Sequence, residues 1–174
     1  MTTKNVNDAL ISRLYSNTEA ETLAAIDEIG QSGNSEYIPM LLDQLEKNDS
    51  SEVAQKIMRL LSEVKHTNAV PVLVSAIENA KSEEIKEQIV RACWENGLDY
   101  TNYLSTFINL LINGSYMLAF EAYTLIENTE GHLSETSAKA YIDQLKEALA
   151  DASDDRKILL HSTIQFIPSL IRVQ

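Results

Sequence analysis

The chain has 174 residues, with only 5 Gly and 3 Pro, and it carries 14 Lys and Arg against 26 Asp and Glu. So few turn-forming residues argue against a sandwich or barrel of many short strands. The formal net charge of −12 disfavours nucleic acid and anionic membranes as ligands, because both present negative charge.

The N-terminal stretch and the apolar runs bear on where the protein works. Residues 1–7 are polar and contain no apolar core of the kind found in a signal peptide. No apolar run approaches the roughly 20 residues of a membrane span. We therefore expect a cytoplasmic protein that does not bind a membrane.

A repeated pattern begins near residue 38. Ile-Pro-Met-Leu-Leu at 38–42 is matched by Val-Pro-Val-Leu-Val at 70–74, so that Pro39 and Pro71 lie 32 residues apart. A third copy, Leu-Ser-Thr-Phe-Ile at 104–108, has Ser105 in place of the proline. Such a period is typical of repeat architectures.

A second apolar pattern follows each copy. Its residues recur at i, i+4, i+7 and i+8, which marks one face of an α-helix. The three sets are Val53, Ile57, Leu60, Leu61 and Val64, then Ile85, Ile89, Ala92 and Cys93, and finally Leu118, Ala122, Leu125 and Ile126.

Capping signals separate these patterns. Thr18 to Glu21 and Asp49 to Glu52 are each typical of a capping box, and the glycines lie where helices should end. The sequence therefore predicts ten helices, at 5–15, 18–30, 35–47, 51–65, 67–80, 83–96, 100–113, 115–128, 134–152 and 154–167. The tail, 168–174, is expected to fold back on the last helix through Leu170, Ile171 and Val173.

These residues resemble the HEAT-repeat family. The resemblance rests on Tyr37-Ile38-Pro39-x-Leu41-Leu42 and Ala69-Val70-Pro71-x-Leu73-Val74 in first helices. It implies an all-α fold, a right-handed α-α superhelix of about five helix–turn–helix repeats, with residues 1–174 forming one domain. The short period is similar to that of compact bacterial units. The resemblance also implies a scaffold or adaptor whose second helices line a concave face that binds a protein or peptide.

The sequence contains few residues arranged for chemistry. There is no Gly-rich phosphate loop, Gly-x-Ser-x-Gly elbow or His-Glu-x-x-His pair, and the only cysteine, Cys93, aligns with core positions. We expect no catalytic residue, metal or cofactor. Two alternatives stay open, each with a precedent in the family: a subunit of a lyase-type enzyme, and a nucleic-acid binder, which the net charge disfavours most.

An aromatic stripe is the feature most suggestive of binding. Placed at 100° per residue, Trp94, Phe120 and Tyr123 point away from the apolar faces of two adjacent second helices. Exposed aromatic side chains are frequent anchors of protein interfaces, although the rings could instead pack between helices. The flanking polar candidates are Arg59, Gln88, Arg91, Glu95 and Glu121. Given the charge, we expect the partner to be basic.

Overall fold

The fold follows the predicted helical pattern along its whole described length. The computed structural model describes residues 6–171, and these form ten α-helices without a regular strand. They are α1 Asp8–Leu14, α2 Glu19–Ser32, α3 Ile38–Lys47, α4 Ser51–Glu63, α5 Ala69–Asn79, α6 Glu83–Asn96, α7 Leu104–Asn113, α8 Tyr116–Glu127, α9 Glu135–Ala148 and α10 Asp154–Phe166. The prediction of an all-α repeat fold is confirmed.

Short polar side chains start many of these helices. An N-cap side chain accepts a hydrogen bond from a first-turn amide, which would otherwise lack a partner. The residues that do so are Asn7, Ser50, Ser82, Ser115 and Ser134. At two helix ends, Gly33 and Gly97 adopt the left-handed conformation, with φ of 61° and 65°, which is costly for residues with a Cβ atom.

The helices pack as pairs, and the pairs stack in a row. Each even-numbered helix contacts the next one, from α2 through α4, α6 and α8 to α10. Among the odd-numbered helices, α3 packs on α5 and α7 on α9, whereas α5 and α7 do not pack closely together. The second helices, which pack in an unbroken series, thus form the more continuous of the two layers.

The two repeated prolines occupy equivalent places. Pro39 and Pro71 lie in the first turns of α3 and α5, where a missing amide proton costs little. Both line one apolar groove of about 520 Å³ between these helices, with Ile85 and Ile89 of α6 also contributing. The repeat inferred from the sequence is thus a repeat in three dimensions.

The core is one connected cluster of apolar side chains. It extends from Leu10 to Leu170. Most of the apolar second-helix residues predicted from the sequence belong to this cluster, and Leu60, Val64 and Ile85 pack against it. Tyr100 and Phe107 meet edge to face within it, with ring centroids 5.7 Å apart. Because each helix pair exposes apolar surface on both sides, stacking is what buries it.

Several boundary predictions are corrected. Helix α2 continues through Gly30 to Ser32, so Gly30 does not end it, and α9 ends at Ala148. The cap of α4 is Ser50 and not Asp49, and the side chain of Thr18 makes no capping hydrogen bond. Helix capping depends on which oxygen reaches the first-turn amides, and a run of several polar residues does not specify this.

The C-terminal segment folds back as expected. A 3-10 helix, Ile167–Leu170, follows α10, and the Leu133 amide donates to the Leu170 carbonyl at 2.8 Å. Leu170 is buried. Residues 172–174, and with them Val173, lie outside the described part. Within that part, every helix is too short or too polar to cross a membrane.

Candidate protein-binding surface

A buried carboxylate joins α6 to α8 within the layer of second helices. The Trp94 indole Nε1 donates to Glu121 Oε2 at 2.7 Å, and Arg91 donates to Glu121 Oε1 from Nε at 2.9 Å and from Nη2 at 2.5 Å. Glu121 is only 4% exposed. Hydrogen bonds to Glu121 raise the pKa of Arg91, so the guanidinium stays charged.

This arrangement changes the roles expected for three residues. Glu121, which was expected among the polar residues flanking the aromatic stripe, belongs to the interface between repeats. Trp94 is half-buried and its polar atom is occupied. Arg91 is exposed but held by Glu121 and by Glu87, 3.4 Å away. A buried charge needs such partners, because leaving it unpaired costs several kcal/mol, on the order of 3–5.

The other two aromatic residues lie closer to solvent. Phe120 is 42% exposed, and Tyr123 is half-buried. Their ring centroids are 6.3 Å apart with a tilt of 41°. This pair therefore presents aromatic surface on α8.

Two neighbours extend the apolar surface of α8. Tyr116 and Met117, in the first turn of the helix, are 47% and 48% exposed. Sequence reasoning did not single out Met117, because a methionine at a helix start is unremarkable alone. The position of Met117 beside Tyr116 and near Phe120 on one helix could have indicated that it belongs to the same apolar surface.

The remaining polar candidates are dispersed. Arg59 on α4 pairs with Glu63 one turn later, at 3.2 Å, and both are exposed. Gln88 is half-buried and Glu95 is exposed on α6. These three side chains share the layer with the aromatic residues but make no hydrogen bond or ion pair with them within residues 6–171.

Cys93 lies in the core beneath this surface, as its alignment predicted. It is fully buried, and burial raises the pKa of its thiol to about 12. A protonated, inaccessible thiol is a poor nucleophile. In residues 6–171, no group of His, Cys, Asp and Glu is arranged to hold a metal ion.

Comparisons with known proteins agree with this geometry. A crystal structure of an engineered protein from the Northeast Structural Genomics Consortium is similar in fold, with a TM-score of 0.52 and 15% identity, over 94% of this chain and 80% of that one. No curated protein matches the sequence. The family model for HEAT repeats matches residues 7–94, half of the chain. The protein therefore belongs to the HEAT-repeat family.

Proposed function

We propose that this protein is a non-enzymatic scaffold that binds a protein or peptide on the concave face formed by α6 and α8. The observation that carries the proposal is the exposure of Phe120, beside Tyr116 and Met117, on a rigid helix. Large apolar side chains in a contiguous patch are typical of interaction sites. A preformed helical surface loses little conformational entropy when it binds.

The charges on this layer favour a protein ligand over nucleic acid. Three of its cations pair with carboxylates: Lys56 with Asp27, Arg59 with Glu63 and Arg91 with Glu121. Phosphate binding needs cations that are free to replace counterions. A basic protein segment, in contrast, would be attracted by the net charge of −12.

Selection from a random-peptide library displayed on phage tests the proposal without knowledge of the partner. We expect enriched peptides to bind the wild-type chain. Phe120→Ser should lower their affinity at least about tenfold, measured by fluorescence anisotropy, as expected for an anchor residue. Tyr15→Ser is the matched control. Tyr15 is comparably exposed, at 39%, but it lies at the C-terminal end of α1, outside the proposed surface.

Circular dichroism would establish that both variants fold. The proposal fails if no peptide is enriched. It fails equally if the enriched peptides bind Phe120→Ser as tightly as they bind the wild type.

A further inference from the structure

We infer that the ligand of this surface is an amphipathic helix with basic flanks, lying across α8 and α10, an inference that rests on the proposed function. The contact area is an apolar patch, defined as Tyr116, Met117, Phe120 and Ile158. Ile158 has the highest exposure among the large apolar residues of the described part, at 65%. The described C-terminal residues, 167–171, leave Ile158 exposed.

The patch spans two neighbouring helices. Phe120 is the fifth residue of α8 and Ile158 the fifth of α10, and the two helices pack side by side. Packed helix axes lie about 8–10 Å apart, which is close to the width of the apolar stripe of an amphipathic helix. Tyr116 and Phe120, one turn apart, form a ridge beside which such a stripe can pack.

Exposed carboxylates lie on both helices that flank α8. On α6, Glu84 and Glu95 are exposed, one near each end of the helix. On α10, Asp155 is exposed, and Asp154, whose side chain is fully exposed, pairs with Lys157 at 3.4 Å. Within the described residues, Glu84 and Asp155 form no ion pair. Lys and Arg residues flanking an apolar stripe would therefore meet complementary charge.

The same carboxylates disfavour a second copy of this chain as the occupant. Two copies joined through the patch would bring their own acidic flanking helices together, on chains that each carry a net charge of −12. Like charges in an interface are unfavourable. A basic partner avoids this cost.

The known modes of peptide recognition narrow the shape of the ligand. Strand addition needs an exposed sheet edge, and residues 6–171 form no regular strand. Recognition of phosphorylated or acidic segments needs a cluster of arginines, whereas the flanking helices here carry exposed carboxylates. An apolar ridge on α8 beside a second helix suits a helix that packs its stripe between them.

Labelled synthetic peptides of roughly 18 residues test this inference. The probe is a Leu/Lys peptide with Leu at helical spacing. Its controls are a Leu/Lys peptide of the same composition with Leu at every second position, and a Leu/Glu peptide with helical spacing. We expect the helical Leu/Lys peptide to bind at least about tenfold more tightly than either control, measured by fluorescence anisotropy at physiological salt.

Variants of the chain locate the binding. Ile158→Ser should lower the affinity for the helical Leu/Lys peptide at least about tenfold. The double variant Glu84→Gln and Asp155→Asn should also lower this affinity and make it depend less on salt concentration. Tyr15→Ser should leave the affinity unchanged. Because Ile158 is largely exposed, its replacement should not unfold the chain, which circular dichroism would check.

Other results would overturn the inference. It fails if the alternating or the acidic peptide binds equally well, or if Ile158→Ser has no effect. It fails also if light scattering shows a dimer that Ile158→Ser dissociates. If displayed peptides that depend on Phe120 are neither basic nor helical, this inference falls while the proposed function stands. If no displayed peptide depends on Phe120, both fall.

Discussion

The indole N–H of Trp94 on α6 donates to the buried carboxylate of Glu121 on α8, at 2.7 Å. This bond crosses from one repeat to the next and fixes the only tryptophan of the chain. The ring that was expected to anchor a ligand is thus also a structural element. Replacing Trp94 would disturb binding and stacking together, so Phe120 is the cleaner probe of the surface.

Glu121→Ala should lower the free energy of unfolding by about 2 kcal/mol, because it leaves the Trp94 donor without its partner. This loss is about half of the roughly 3–5 kcal/mol that is typical when a buried ion pair is broken, because the exposed Arg91 can be hydrated again. Urea denaturation followed by Trp94 fluorescence measures it. Arg59→Ala, which breaks an exposed pair, is the control and should cost under about 0.5 kcal/mol. Equal losses in the two variants would contradict the assigned role of Glu121.

Arg156 joins the last repeat to its neighbour. Its Nη1 donates to the carbonyls of Leu111 and Ile112 at 2.7 and 2.9 Å, and Nη2 donates to that of Gly114 at 2.6 Å. These carbonyls surround the negative end of α7, where a cation is favourable.

Arg156→Ala should therefore cost about 2 kcal/mol in a urea titration, as expected for hydrogen bonds from a charged donor. Arg156→Lys should recover only part of it, because an ammonium cannot present the same planar fork of donors. If the lysine variant were as stable as the wild type, a positive charge at this position would be sufficient for the stabilisation and the prediction would be wrong.

Two glycine-to-alanine changes should have opposite outcomes. A Cβ atom at Gly131 would lie 1.7 Å from the Thr101 hydroxyl oxygen, so Gly131→Ala should displace that loop and cost about 1–3 kcal/mol. At Gly30, inside α2, the nearest atom is the flexible Leu60 Cδ1 at 3.2 Å. Gly30→Ala should be neutral or stabilise the protein by up to about 1 kcal/mol through helix propensity. Thermal melts of both variants would decide, and destabilisation at Gly30 would show that Leu60 cannot move.

Cys93 should react slowly with a thiol reagent at pH 8 in native buffer and rapidly in urea, because its thiol is buried and its pKa is raised to about 12. The raised pKa also affects stability. Below about pH 9 the thiol is protonated in both states, whereas above it the unfolded chain releases a proton that the folded chain keeps. Unfolding is then favoured by up to about 1.4 kcal/mol per pH unit.

The matched control is Cys93→Ala, which lacks this ionisation. The gap in unfolding free energy between the two proteins should narrow by about 1 kcal/mol when urea titrations at pH 8 and pH 10 are compared. Burial, the main cause of the raised pKa of Tyr100, acts in both proteins, whereas a smaller part of the rise comes from Cys93 and is lost in Cys93→Ala. An unchanged gap, or rapid native labelling, would contradict burial of the thiol.

The periodicity of the sequence was sufficient to predict the ten helices, because each has an apolar face that one helix alone cannot bury. Glu121 shows where such reasoning ends. Its partner Arg91 lies thirty positions earlier on another helix, and a helical wheel holds no information about neighbouring helices. The single-domain assignment and the binding roles of the stripe residues stay predictions.

The exposure of Phe120 could be anticipated, since it lies opposite Leu118, Ala122 and Leu125 on α8. The half-burial of Trp94 could not, because it depends on how closely α8 approaches α6. A side chain on the flank of a helix is covered or uncovered according to its neighbour's position. Only the face directly opposite the core is insensitive to that position.

The uneven packing of the two layers has a mechanical consequence. The second helices touch along the entire row, while α5 and α7 pack less closely and are joined by a hydrogen bond from Thr106 to Glu78. A force that bends the stack is therefore resisted less beside the α6–α8 contact than between α3 and α5, where both layers pack closely. Glu121, with its bonds to Arg91 and Trp94, lies across that seam and would set its stiffness.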